Sequence, residues 1–171
     1  MSLHYWLVGF VVCERLFELV LSRRNAVRLL AAGGVEAGAA HYPLFFLVHG
    51  GWLCALVIGI PDGAPVNLYL LGVFAALQVA RFWVIASLGQ YWTTRIITMP
   101  GAPLVRRGPY RYLRHPNYLV VAGEIAVLPL LFGAWEIALV FSALNAPLLG
   151  LRIHVEEKAL ADRPGLDPRG T

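Results

Sequence analysis

Gly108-Pro109-Tyr110-Arg111-Tyr112-Leu113-Arg114-His115-Pro116-Asn117-Tyr118 crowds two arginines, three tyrosines and a histidine into one short run of an otherwise oily chain. A largely apolar stretch, 119–151, separates it from a second polar cluster, Arg152-Ile153-His154-Val155-Glu156-Glu157. That separation is enough for one helix to enter a bilayer and another to return. The two clusters are therefore expected to meet at one end of a helical bundle.

Composition agrees with a bilayer as solvent. Of 171 residues, 58% are hydrophobic and 14% charged, and the mean hydropathy is +0.66, far from the soluble globular norm. We expect an integral membrane protein. The net charge of +4 is almost wholly arginine, Lys158 being the sole lysine. Most arginines fall between apolar runs rather than along one helix face, which fits positive-inside loops and argues against a nucleic-acid partner. Cys13 and Cys54 sit inside apolar runs and read as small hydrophobes, so neither a disulfide nor a metal site is expected. No CxxC, HExxH, P-loop or GxGxxG motif occurs.

Taken in order, the chain divides into five apolar segments. The first, 3–21, has no cationic residues before it and Arg23, Arg24 and Arg28 after it, the pattern of a retained helix with its N-terminus outside. It carries Glu14, Arg15 and Glu18; intramembrane charges are costly and face a bundle interior, either pairing with other helices or lining a cavity. Residues 25–40 read as a linker, helical at first, with no visible chemistry. The second span, 44–60, contains His49-Gly50-Gly51, where His49 reads as a hydrogen-bonded packing residue. Pro61-Asp62-Gly63-Ala64-Pro65 is a cation-free outside turn. The third span is 66–87, with Gln78 and Arg81 near its inner end. Residues 89–117 hold Arg95, Arg106, Arg107, Arg111 and Arg114 and no acid, which assigns them to the cytoplasmic side, and their four prolines forbid a continuous helix. A structured loop is expected there. Residues 118–132 and 135–151 then form a helical hairpin, with the second helix continuing through 152–160.

The fold expected is an all-α integral membrane protein of five transmembrane helices, N-terminus outside, in the cell (inner or plasma) membrane. It is a single domain, 1–171: three N-terminal spans (1–87), a cytoplasmic loop with the helical hairpin and C-terminal helix (88–160), and a tail (161–171) expected to be disordered over 165–171.

Arg152 and Glu156 share one helix face, but Arg placed before Glu is the poorer order for an ion pair, a hint that each has another partner. His115-Pro116 opens the fourth span, and the amides of a proline-started first turn can hold a carboxylate. Leu104-Val105, Gly108-Pro109-Tyr110, Arg114-His115-Pro116-Asn117-Tyr118 and, beyond the hairpin, Arg152-x-x-x-Glu156-Glu157-x-x-Leu160 together resemble the isoprenylcysteine carboxyl methyltransferase family of membrane enzymes. The resemblance covers 95–160; the three N-terminal spans match in hydropathy alone. It implies an S-adenosylmethionine-dependent methyltransferase, releasing S-adenosylhomocysteine, with a lipophilic acceptor drawn from the bilayer. It further implies cofactor contacts at Tyr110, His115, Leu104 and Val105, with Glu156 facing a polar group of the cofactor and Arg152 beside the methyl acceptor. Arg95, Ala102 and Pro103 fall where the family has further contacts.

Glu124 departs from the pattern of the prenylcysteine enzymes. A carboxylate inside the fourth span, about 9 Å along the helix from Tyr118, reads either as a catalytic base or as an ion-pair partner of Arg81. A phenol must lose a proton before attack, whereas a prenylcysteine carboxylate is already ionised. Compact bacterial relatives resemble enzymes that O-methylate alkylated phenols and pyrones. A long-chain alkylresorcinol or alkylpyrone is therefore the expected acceptor, with prenylcysteine as the alternative. An NADPH-dependent membrane reductase would need a longer basic C-terminal segment, and a scaffold would not need this density of His, Tyr and Arg.

Overall fold

The computed structural model describes residues 2–102 and 104–161. The expected disorder at 165–171 and the expected contact at Pro103 lie outside the described residues. Five α-helices and two short strands follow one another as α1 (Leu3–Ala31), β1 (Val35–Ala37), α2 (Tyr42–Gly59), α3 (Leu68–Leu88), β2 (Ile96–Thr98), α4 (Pro116–Leu130) and α5 (Trp135–Ala161). The helices α2, α3 and α5 are long and apolar enough to cross a membrane. The first helix carries Glu14, Arg15 and Glu18 in its middle, and α4 has only 15 residues, about 22 Å of rise.

Packing runs around a ring: α1 against α2, α2 against α5, α5 against α4, and α4 against α3. Between α3 and α1 the ring is closed by long side chains, with the Arg81 guanidinium reaching Glu18. Val8, Val11, Trp52, Leu56, Phe74, Ile125, Leu128 and Leu131 make the buried core near the end that carries both chain turns. There the hairpin between α4 and α5 turns on Gly133, at φ 75°, and the Leu131 carbonyl accepts from the Asn67 amide at 2.9 Å. As expected, α5 continues without interruption from the hairpin through Arg152 and Glu156.

The opposite end departs from the expected linker, and the expected structured loop contains a short strand. Helix α1 runs on through the anticipated linker to Ala31, because 22–31 holds good helix formers and no breaker before Gly33. Beyond it, β1 pairs antiparallel with β2, Val35 opposite Thr98 and Ala37 opposite Ile96. Three-residue strands are too short to show an alternating pattern in sequence. Arg95, just before β2, pairs with Glu36, so 35–37 supplies an acid to the loop that has none of its own. The turn Gly108–Arg111 sits directly on the end of α3. Gly108 has φ 58°, and a Cβ there would lie 2.0 Å from the Ser87 hydroxyl, so only glycine permits this approach.

Candidate active site

At this end the loop, the start of α4 and the end of α5 enclose a cavity of about 750 Å³. Tyr110, His115 and Glu156 line it, as do Leu104, Val105, Ala102 and Arg95, and Arg152 stands on its wall. Thus the two polar clusters that are separated by the hairpin in sequence meet in one chamber. Arg95 lines the chamber with its guanidinium directed to Glu36, its Nε 2.6 Å from the carboxylate.

Arg152 and Glu156 face the same way from α5 and are joined through Tyr118 from the first turn of α4. The Arg152 Nε donates to the Tyr118 hydroxyl at 3.0 Å, and that hydroxyl donates to Glu156. Arg152 Nη2 donates to the Thr94 carbonyl at 2.6 Å. Its guanidinium carbon lies 5.3 Å from the Phe45 ring centre and 5.8 Å from that of Tyr118, distances at which an aromatic face attracts a cation. Arg152 is buried, and among the described residues it has no carboxylate in ion-pair contact. Its hydrogen bonds among the described residues go to a phenol and a backbone carbonyl, with the Glu156 carboxylate one bond further on through Tyr118.

The His115 ring stacks on Tyr118 with centres 5.5 Å apart. Its Nε2 lies 3.3 Å from Glu157 and its Nδ1 3.8 Å from Glu156. Burial, and secondarily the Glu156 carboxylate, push the Tyr110 phenol well above its ordinary value, so it stays a neutral donor. Asn117 also lines the cavity and carries a buried Oδ1 without a hydrogen-bond partner. Asn117 and Tyr118 both lie inside the 108–118 motif and join the expected contacts in the chamber. Trp92 and Leu160 line the chamber as well, and nothing in their sequence context marked Trp92.

Glu124 does not join this chamber. Six residues at about 100° each place it about 120° around α4 from Tyr118, so it faces α3 and α1 while Tyr118 faces α5. There it accepts from Arg81 Nη1 and Arg15 Nη2, each at 2.8 Å. Glu18 accepts from Arg15 at 2.9 Å and from two nitrogens of Arg81, and Glu14 accepts from Arg15 at 3.2 Å. The Gln78 amide nitrogen, oriented to satisfy its neighbours, donates to Glu124 and Glu14. The cluster is a polar layer inside the bundle, the ion-pair alternative for Glu124, and it binds three helices together. His49 Nδ1 bonds the Phe45 carbonyl at 2.8 Å, a packing role within α2.

The sequence model of the isoprenylcysteine carboxyl methyltransferase family matches residues 70–162. Over nearly its whole length the chain is similar to two bacterial proteins. One is "Uncharacterized protein YpbQ" of Bacillus subtilis (strain 168), 36% identical over 163 residues, covering 92% of this chain and 97% of the relative. The other is an "Uncharacterized protein" of Haemophilus influenzae, 28% identical over 159 residues, covering 88% of this chain and 91% of the relative. No solved structure matches.

Proposed function

Because the chain belongs to the isoprenylcysteine carboxyl methyltransferase family, we propose that it is an integral-membrane, S-adenosylmethionine-dependent O-methyltransferase for a lipophilic enol or phenol, an alkylpyrone or alkylresorcinol. The observation that carries the acceptor half of this reading is Arg152: a buried guanidinium on the cavity wall, fixed by Tyr118 and the Thr94 carbonyl, with no carboxylate of its own. An acceptor oxygen bearing negative charge completes it.

The residues present fit the methyl donor. Leu104 and Val105 offer apolar surface to a flat base, Glu156 and Glu157 offer carboxylates to an ammonium group, and Tyr110 and Asn117 offer a donor and an unpartnered acceptor. When bound, S-adenosylmethionine supplies an electrophilic sulfonium methyl, which passes to the acceptor as the O–C bond forms, the S–C bond breaks and the electron pair returns to sulfur. The protein's contribution is alignment and exclusion of water. Arg152 orients the attacking oxygen, and the Phe45 and Tyr118 rings cover its guanidinium and exclude water from it.

Glu124 is committed to two arginines, so the acceptor oxygen must arrive ionised or lose its proton elsewhere. That shifts the preference within the proposed class. A hydroxypyrone enol, whose charge delocalises onto its ring carbonyl, ionises more readily than a resorcinol phenol near 10. A prenylcysteine carboxylate, also ionised, is the second reading, favoured by the same guanidinium. We further propose five membrane segments in one domain, the N-terminus outside and the cavity cytoplasmic in the cell membrane, with acceptor and lipid as partners.

The test has two parts. Detergent-solubilised protein is titrated with S-adenosylmethionine, S-adenosylhomocysteine and NADPH, where binding of NADPH alone would overturn the methyltransferase reading. Labelled S-adenosylmethionine is then offered with an alkylpyrone, an alkylresorcinol and a prenylcysteine in liposomes. Label confined to prenylcysteine would overturn the acceptor.

A further inference from the structure

We infer a second binding site, for an anionic phospholipid, in an open groove between the end of α1 and the end of α3. The groove, of about 350 Å³, is lined by Leu21, Arg24 and Arg28 on one side and by Ile85, Ala86 and Gln90 on the other. Arg24 and Arg28 are four apart and so project from one helix face. Both are exposed, and neither has an acidic partner among the described residues. A third guanidinium lies near Gly89, which lines the groove: Arg107 donates to the Ser87 carbonyl at 2.7 Å, with its Nη2 3.5 Å from where a Cβ on Gly89 would lie. Two cations thus line the groove, a third lies near its Gly89 edge, and among the described residues no carboxylate pairs with them.

The groove is amphiphilic along the membrane normal. Counted from Leu3, Arg24 lies roughly 32 Å and Arg28 roughly 38 Å along α1, beyond a hydrocarbon core of about 30 Å. Leu21 and Ile85 form the end nearer the hydrocarbon. A phosphodiester held by the arginines therefore continues into an acyl chain lying on an apolar floor, and a net negative lipid meets the charge that a zwitterionic one only partly answers. The site has a consequence for the cavity behind it. Asn25 clasps the floor of the groove, donating to the carbonyls of Gly89 at 3.1 Å and Trp92 at 2.8 Å, and Trp92 is also a wall of the methyl-donor chamber. A lipid bridging α1 to this turn steadies that wall from outside.

The experiment uses the full chain, released from vesicles of equal phosphatidylglycerol and phosphatidylcholine and weighed by native mass spectrometry for retained lipid. Wild type is expected to keep phosphatidylglycerol in preference. Arg24→Gln with Arg28→Gln should lower its apparent affinity roughly fivefold per arginine, hence about twenty-five-fold together, and Ala86→Phe, which fills the apolar floor and leaves every charge, should lower it too. Arg23→Gln, about 100° around the helix, should leave it unchanged. Equal retention of both lipids by wild type overturns the proposal. So does a loss in Arg23→Gln equal to that of the double variant, retention unaffected by Ala86→Phe, or displacement of phosphatidylglycerol by inorganic phosphate alone.

Discussion

Replacing the three acids of the polar layer that joins α1, α3 and α4 one at a time with glutamine should produce a steep rank order of stability. From the two arginines Glu18 accepts three hydrogen bonds, Glu124 two and Glu14 one, at 3.2 Å, while the neutral Gln78 amide also donates to Glu124 and Glu14. Three carboxylates face two guanidiniums, so the loss of Glu14 evens the charges while the loss of Glu18 strips Arg81 of two of its three bonds. Breaking a buried pair costs about 3–5 kcal/mol in soluble proteins, and hydrogen bonds in membranes average nearer 0.6 kcal/mol. Within these limits we expect about 3 kcal/mol for Glu18→Gln and about 2 for Glu124→Gln, and, because its loss evens the charges, less than the lower limit for Glu14→Gln, under about 0.5. At about 2–4 °C per kcal/mol for a chain of this size, Glu18→Gln should lower Tm by about 6–12 °C, and Glu14→Gln by no more than about 2 °C. Thermal unfolding in detergent, followed by near-ultraviolet circular dichroism, reads this directly. The same samples test the chemistry: Glu124→Gln should melt early yet methylate at the wild-type rate per folded molecule. Glu14→Gln as costly as Glu18→Gln would refute the bond counting. An unchanged Tm with methyl transfer abolished in Glu124→Gln would refute its structural role and restore it as a base.

His115→Ala and Tyr110→Phe should weaken S-adenosylmethionine binding, by roughly tenfold and fivefold for the contacts removed, with membrane insertion unchanged; equal affinity in both variants by calorimetry would remove the proposed site. Arg152→Lys should lower kcat by about a hundredfold with little change in cofactor affinity, since a point charge cannot bond Tyr118 and Thr94 as a planar fork does. Full turnover in that variant would eliminate Arg152 as the group that orients the acceptor. A reporter fused at the C-terminus should be found on the cytoplasmic side, and an external signal would invert the proposed topology.

Hydropathy and charge made the helices legible, and the spacing of the two polar clusters made the chamber legible. Tyr110, His115, Arg152 and Glu156 could be brought together on paper because a helical hairpin has few ways to connect 118 to 152. What sequence concealed was direction around a helix. Glu124 is close to Tyr118 in number and in rise, but the 3.6-residue turn sends it to another face; there it meets Arg81, the partner the sequence offered as the alternative, and Arg15, which no local pattern tied to it. The strands were hidden for a different reason: β1 and β2 pair across about sixty residues, and three residues carry no readable period.

That long-range pairing changes what the N-terminal third is for. Ser22 accepts from the Thr94 amide at 2.8 Å, and the Thr94 hydroxyl lies within 2.8 Å of Ser22 and 2.7 Å of Tyr42. Asn25 holds the carbonyls of Gly89 and Trp92, and Glu36 holds Arg95. The Thr94 carbonyl in turn fixes Arg152. The wall of the chamber is thus stitched to α1 and β1 rather than supported by its own neighbours in sequence, and the buried guanidinium is oriented through it. A family match confined to 70–162 records the residues that face the chamber. The residues that hold that wall, 22–36, lie outside it, yet within the stretch over which a relative covering 92% of the chain remains similar. Orientation of Arg152 is consequently a property of the whole bundle, and a C-terminal fragment bearing every motif residue would lack the contacts that aim it.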